Sequence, residues 1–152
     1  MAEQEEDYSA IINGIDASGW NGAMGLKLVK TTRDEVVAEL EIGPQHLQPY
    51  GIVHGGVHSG IIEAITSIGA AINVMASGKS VVGLENHTSF LRAVRSGKLR
   101  VVAKPLSRGQ RSQVWEGSVY DDQGRLAATG RVRLIVLEAD AALAGSKVEI
   151  GR

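Results

Sequence analysis

Val57-His58-Ser59-Gly60-Ile61-Ile62-Glu63-Ala64-Ile65-Thr66-Ser67-Ile68-Gly69-Ala70-Ala71-Ile72-Asn73-Val74-Met75 carries apolar side chains at Val57, Ile61, Ala64, Ile65, Ile68, Ile72 and Met75. That spacing of three and four, at about 100° per residue, gathers them on one stripe and predicts a helix over 57–75, of about five turns and ~30 Å. Ser77-Gly78 follows, with the glycine suited to the left-handed position that ends a helix. The opposite face carries Ser59, Gly60, Glu63, Ser67 and Ala70, all small except one carboxylate. Small residues admit a neighbouring backbone, so this face is expected to meet a second subunit rather than water.

Outside the helix the chain alternates with period two. Val36, Ala38, Leu40 and Ile42 alternate with Glu35, Glu39 and Glu41, and a shorter strand through Leu26 and Leu28 precedes them. Beyond the helix, Val82, Leu84, Asn86, Thr88 and Phe90 share one face of an extended run. Leu99, Val101 and Ala103 alternate with Lys98, Arg100 and Lys104, and Trp115 and Val119 share a face of the next strand. Ala128, Gly130, Val132, Leu134 and Val136 form the last. Asp121-Asp122-Gln123-Gly124 has the chemistry of a tight hairpin turn between the final two. One helix and about six strands make an α+β domain in which the sheet curls around the helix and buries its stripe.

The length of 152 residues suits a single domain spanning 1–152, with a core over about 22–138, a charged leader at 1–7 and a small-residue tail at 139–152, both peripheral. A net charge of −1 excludes a global electrostatic footprint for nucleic acid, and 4% aromatic residues offer little for base stacking. The absence of cysteine removes disulfides, thiolate nucleophiles and Cys-based metal sites. The acidic beginning lacks the pattern of a signal peptide and the apolar runs are interrupted, so a cytoplasmic chain without a membrane partner is expected. His54 and His58 have a metal-compatible spacing but no evident third ligand, and no metal is expected. Gly78-Lys79-Ser80 imitates a phosphate loop without its first glycine or its preceding strand.

Chemistry concentrates at the helix start, Gln48-Pro49-Tyr50-Gly51-Ile52-Val53-His54-Gly55-Gly56. Gly55-Gly56 either makes a tight loop or exposes backbone N–H groups at the positive end of the helix dipole, where an oxyanion can be held. Glu63 is either an exposed helix charge or a carboxylate kept for use. Gly55 and Glu63 lie about 12 Å apart along a helix, whereas an oxyanion donor and the group attacking the same carbonyl must both come within about 3–4 Å of it. In an acyl-transfer site, Gly55 of one subunit must therefore face Glu63 of another, which gives two equivalent sites per dimer.

Gln48, the run from Gly51 to Gly56, Glu63 nine residues after His54, Asn86-His87-Thr88-Ser89-Phe90-Leu91-Arg92 and Asp121-Asp122-Gln123-Gly124-Arg125-Leu126 together resemble the hotdog-fold acyl-CoA thioesterases, especially the 4-hydroxybenzoyl-CoA and phenylacetate-pathway types. The resemblance implies a curved sheet around a central helix, homodimers with shared sites that often pair into tetramers, and hydrolysis of an aryl- or medium-chain acyl-CoA. It implies Glu63 as nucleophile or general base, Gly55 as oxyanion donor, Gln48 as a group that binds or polarises the thioester, and His54 as the residue that orients the loop. The glutamate in place of aspartate points to the 4-hydroxybenzoyl-CoA side of the family. Ser67, one turn after Glu63, fits a role in holding the carboxylate or the water. Coenzyme A enters as part of the substrate and no further cofactor is implied. Arg92, Arg108 and Arg111 with Ser112 are candidates for its phosphates, and Lys104 adds to the local positive charge. A hydratase or dehydratase of the same fold and a non-catalytic acyl-CoA-binding module are the alternative functions.

Overall fold

The computed structural model describes residues 5–15 and 18–149. Strands β1 (Lys27–Thr31), β2 (Val36–Glu41), β3 (Ser80–Phe90), β4 (Lys98–Arg108), β5 (Ser112–Tyr120) and β6 (Leu126–Leu137) form one antiparallel sheet in the order β1-β2-β4-β5-β6-β3. The six expected strands are all present, and the expected hairpin turn joins β5 to β6. Gly124 there has φ 75°, and the Asp121 carboxylate accepts from the backbone N–H groups of Gln123 and Arg125 and from Arg125 Nε at 2.8–3.0 Å.

Helix α3 (Gly55–Val74) lies against the sheet and continues as a 3-10 turn, Met75–Ser77, closed by Gly78 at φ 73°. It begins two residues before the expected start, and Met75 is exposed rather than part of the buried stripe. The stripe is also rotated. Ile61, Ile62 and Ile65 are wholly buried, and Gly69 and Gly117 let helix and sheet close on each other. A Cβ on Gly69 would stand 2.6 Å from the Trp115 ring, and one on Gly117 2.9 Å from Ile62. The buried Trp115 indole N–H donates to Gln113 Oε1, whose amide donates to Ala70 O, so this polar pair costs little. By length and a mean hydropathy of 1.4, 55–77 meets the composition of a membrane span. Here it is the core helix, its isoleucines packed on the sheet.

Two short helices, α1 (Ser9–Ile15) and α2 (Gly19–Met24), were not foreseen from the sequence. The packed region therefore begins before residue 22: Ile12 rests on the core, and Asn13 takes the place of a strand partner, donating to Leu28 O and accepting from Leu28 N. Within the leader, Asp7 accepts from Thr31 N, and Tyr8 N donates to Thr31 O. In the tail, β7 (Ala142–Leu143) and β8 (Ser146–Lys147) make a small exposed hairpin, while 1–4 and 150–152 lie outside the described residues. The N-terminal segment thus covers the outer edge of β1. Nothing among the described residues covers the outer edge of β3.

Candidate active site

The loop before α3 is held at several points, which fixes the helix start. His46 is fully buried; its Nδ1 accepts from Gly43 N at 2.8 Å and its Nε2 donates to Met24 O at 2.8 Å. Leu47 bridges to Val53, Gly51 turns at φ 72°, and Arg95 donates to Tyr50 O at 2.8 Å. Gln48 Oε1 accepts from Tyr50 N, which leaves the amide N–H groups of Gln48 as its remaining donors.

His54 caps α3: its Nδ1 accepts from Gly56 N at 2.8 Å, and its carbonyl accepts from Val57 N. A Cβ on Gly56 would stand 2.9 Å from that Nδ1, and one on Gly55 would stand 3.0 Å from the Phe90 ring. The two glycines therefore have different duties. Gly56 closes the cap. The Gly55 N–H meets no acceptor among the described residues and stands at the positive end of a 20-residue helix. Beside it a cavity of about 350 Å³ is lined by Gln48, Gly55, His58, Phe90 and Arg92. Three expected site residues, Gln48, Gly55 and Arg92, thus share one groove.

Glu63 stands outside that groove, half-buried against β3. One oxygen accepts from Asn86 Nδ2 at 3.0 Å; the same amide donates to Ser59 O, and Thr88 Oγ1 donates to Asn86 Oδ1 at 2.7 Å. The other oxygen occupies the space a Cβ on Gly83 would need, 2.3 Å away. A bulge at Leu84 explains how both residues reach the carboxylate: the register with β6 shifts between Gly83 and Glu85. Gly83 and Asn86 then stand opposite Leu134 and Val132, on the helix-facing side of the sheet. This corrects the expected strand face, because Val82 and Leu84 fall on the other side of it.

Other expectations are corrected as well. Ser67 makes no hydrogen bond to Glu63, whose carboxylate Asn86 holds instead, so of its two expected roles only that toward the water is left. Ala70 is wholly buried rather than on an outer face, and Gly60 is covered by Trp20 of α2, whose ring would lie 2.4 Å from an added Cβ. Arg108 donates to Asp34 Oδ1, Arg33 O and Asn73 Oδ1, so its guanidinium is already engaged. Lys104 pairs with Glu35. Arg111 and Ser112 stand where β5 begins, beside the end of β6, which separates them from the start of β3, while Arg92 follows the end of β3.

Against known families, residues 50–128 match the Thioesterase superfamily, a span that contains the helix cap, Glu63 and the whole of β3. The chain belongs to the thioesterase superfamily. It is 41% identical over 122 residues to a Mycobacterium tuberculosis protein carrying the general name of esterase, covering 79% of this chain and 87% of the relative. It is 30% identical over 126 residues to the 1,4-dihydroxy-2-naphthoyl-CoA hydrolase of Escherichia coli, covering 83% and 92%. Among solved structures, a thioesterase of Haemophilus influenzae superposes with a TM-score of 0.83 at 27% identity, over 91% of this chain and 96% of that one. The sheet-wrapped helix is accordingly the hotdog fold, and the thioesterase chain is a thioester hydrolase. Gly83, Thr88 and His58 were missed as site residues, and Asn86 had no role assigned. A glycine inside a strand signals a close approach and could have pointed to Gly83.

Proposed function

We propose that this thioesterase hydrolyses acyl-CoA esters in a site completed by a second copy of the chain. One observation carries the reading: a positioned carboxylate on Glu63 and an unengaged donor on Gly55 lie about 12 Å apart on one helix, beside a sheet edge that nothing among the described residues covers. An antiparallel, twofold pairing along β3 brings the Phe90 end of one copy, with its Gly55, toward the Gly83–Asn86 section of the other, with its Glu63. The same pairing brings Arg92 of the partner subunit to the end of the sheet that carries Arg111 and Ser112, one strand in from the shared edge, as candidates for the nucleotide phosphates.

In the hydrolytic step Glu63 either accepts a proton from water, whose oxygen then bonds to the thioester carbon, or attacks that carbon itself. The carbonyl oxygen gains the negative charge and takes a hydrogen bond from Gly55 N–H, with Gln48 adding a side-chain donor. Collapse breaks the carbon–sulfur bond and CoA leaves as thiolate, which takes up a proton; on the second route this leaves the acyl group as an anhydride on Glu63, and water then cleaves it to release the acid and restore the carboxylate. His54 Nδ1 is occupied by the cap, so that nitrogen is not free to act as the base of a hydratase. The glutamate supports a 4-hydroxybenzoyl-CoA-type site, and the Escherichia coli relative's name supports an aryl acyl group.

Thiol release measured over aryl, short-chain and long-chain CoA esters tests this. The expected result is turnover with aryl or medium-chain esters that Glu63→Gln lowers about 10³-fold or more while the protein stays assembled, and that Gln48→Ala lowers about tenfold. Release from none of the esters, or normal turnover by Glu63→Gln, contradicts the proposal.

A further inference from the structure

Trp20 of α2 lays the edge of its six-membered ring on Gly60, where an added Cβ would stand 2.4 Å from it, and the residue is still 45% exposed. Gly60 precedes Glu63 by three residues, and side chains three apart on a helix stand about 5–6 Å from each other. The indole is therefore a neighbour of the carboxylate across the surface of α3. The strand side of that carboxylate is taken by Asn86 and Gly83. On its other side α3 offers the small, half-buried residues Gly60, Ala64 and Ser67, and the Trp20 ring closes this strip at Gly60. At about 100° per residue, Gly60 falls between Glu63 and Ile68 around the helix, about 60° from the first and 80° from the second. On the Ile68 side lies a cavity of about 320 Å³ with apolar walls from Leu26, Leu28 and Ile68. The ring thus stands between the carboxylate and an apolar space that is already present.

We propose that Trp20 is a specificity-determining residue that sets the length of the acyl group, its ring being the far wall of the space into which the acyl group extends from the carbon attacked beside Glu63. This rests on the thioesterase reading given above, in which Glu63 serves a thioester held by Gly55 of the partner subunit. Each methylene laid along the strip of small residues and against the indole is worth about fourfold in binding. The gain stops at the ring. One carbon more has to displace an aromatic side chain packed on a backbone, and such overpacking reverses the gain. A flat aryl group or a short alkyl group fits in front of the indole, whereas a longer one needs the cavity beyond it. The wall is carried by an anchored backbone: Met24, at the end of α2, gives its carbonyl to the buried His46, and Gly25 closes the helix at φ 70°.

The test compares kcat/KM for benzoyl-CoA and for straight-chain esters from acetyl-CoA to hexadecanoyl-CoA in the wild-type protein, Trp20→Phe and Trp20→Ala, alongside the Tm and assembly state of each. Beyond a limiting length the wild type is expected to lose about tenfold or more. Trp20→Ala moves that limit outward by about two carbons or more and, at about fourfold per methylene, raises the ratio of long to short esters about tenfold. Its turnover of the shortest active ester stays within about threefold of wild type, and Trp20→Phe, with a smaller ring in the same place, falls between the two. A second measurement needs no turnover by a variant. The protein has two tryptophans, and Trp115 is buried with its N–H bonded, so an alkyl-CoA thioether of the limiting length, at a concentration that inhibits thiol release, should shift the emission of the exposed Trp20, a response lost in Trp20→Phe. An unmoved limit in Trp20→Ala, an equal loss on every ester, a change that tracks a lower Tm or dissociated subunits, or emission that the thioether leaves unaltered overturns the proposal. Wild-type thiol release with no dependence on length removes only the role of Trp20, whereas no release from any ester removes the thioesterase reading and this inference with it.

Discussion

Asn86 spends one amide on three tasks: its N–H groups hold the Glu63 carboxylate and a helix carbonyl, while its oxygen is fixed by Thr88. The opposite side of the carboxylate is bounded by the missing side chain of Gly83. A misplacement of about 1 Å in a reacting group costs on the order of 10²-fold in rate. Gly83→Ala must displace the carboxylate, since its new methyl would overlap a Glu63 oxygen, and Asn86→Ala removes the bond that orients it. Each is expected to lower kcat about 10- to 100-fold in the thiol-release assay. KM should change little, because neither residue lines the Gly55 groove. An unchanged kcat in both variants would show that the carboxylate does not need this placement.

At the scale of elements, α3 and the six strands were legible because their apolar residues repeat with the periods that geometry imposes. Helices α1 and α2 were not. Their sequences, SAIINGI and GWNGAM, bury no residue fully and include glycine, so periodicity had little to register. The bulge at Leu84 was equally hidden, and it reassigned the faces of half a strand. The placement of Gly55 at the helix start and of Glu63 two turns on was legible by spacing, whereas the partnership of Asn86 depended on that bulge. Ser67 looked suitable by helical spacing alone, but the carboxylate turns toward the strand. Glycines separate these levels cleanly. In an exposed helix Gly→Ala gains about 0.5–1 kcal/mol, and Gly14→Ala in α1, with nothing within 4 Å of the new methyl, should raise the Tm. Gly69→Ala forces a methyl into the Trp115 ring, and overpacking of about 1–3 kcal/mol exceeds the helical gain. Thermal unfolding of the two variants should therefore shift in opposite directions; a Gly69→Ala protein as stable as the wild type would refute the close packing of α3 on β5.

For the whole molecule, the two edges of the sheet differ. Asn13, Asp7 and Tyr8 cover β1, while β3 presents 11 residues with an open outer edge and exposed Leu84 and Phe90. Uncovered edges of that length are normally blocked or paired, and the pairing proposed here would also join Gly55 of one copy to Glu63 of the other. The expectation of a second subunit rests on the distance between Gly55 and Glu63, whereas the edge proposed for it rests only on the sheet order. The sharpest test co-refolds Glu63→Gln and Gly55→Ala, the latter crowding Phe90 beside the donor, each first shown to be folded, assembled and inactive alone. Random mixing makes half the dimers hybrid, and in each hybrid one of two sites combines an intact Glu63 with an intact Gly55, so the account predicts recovery of about a quarter of wild-type turnover. A mixture that stays as inactive as its parents would contradict a site shared between subunits.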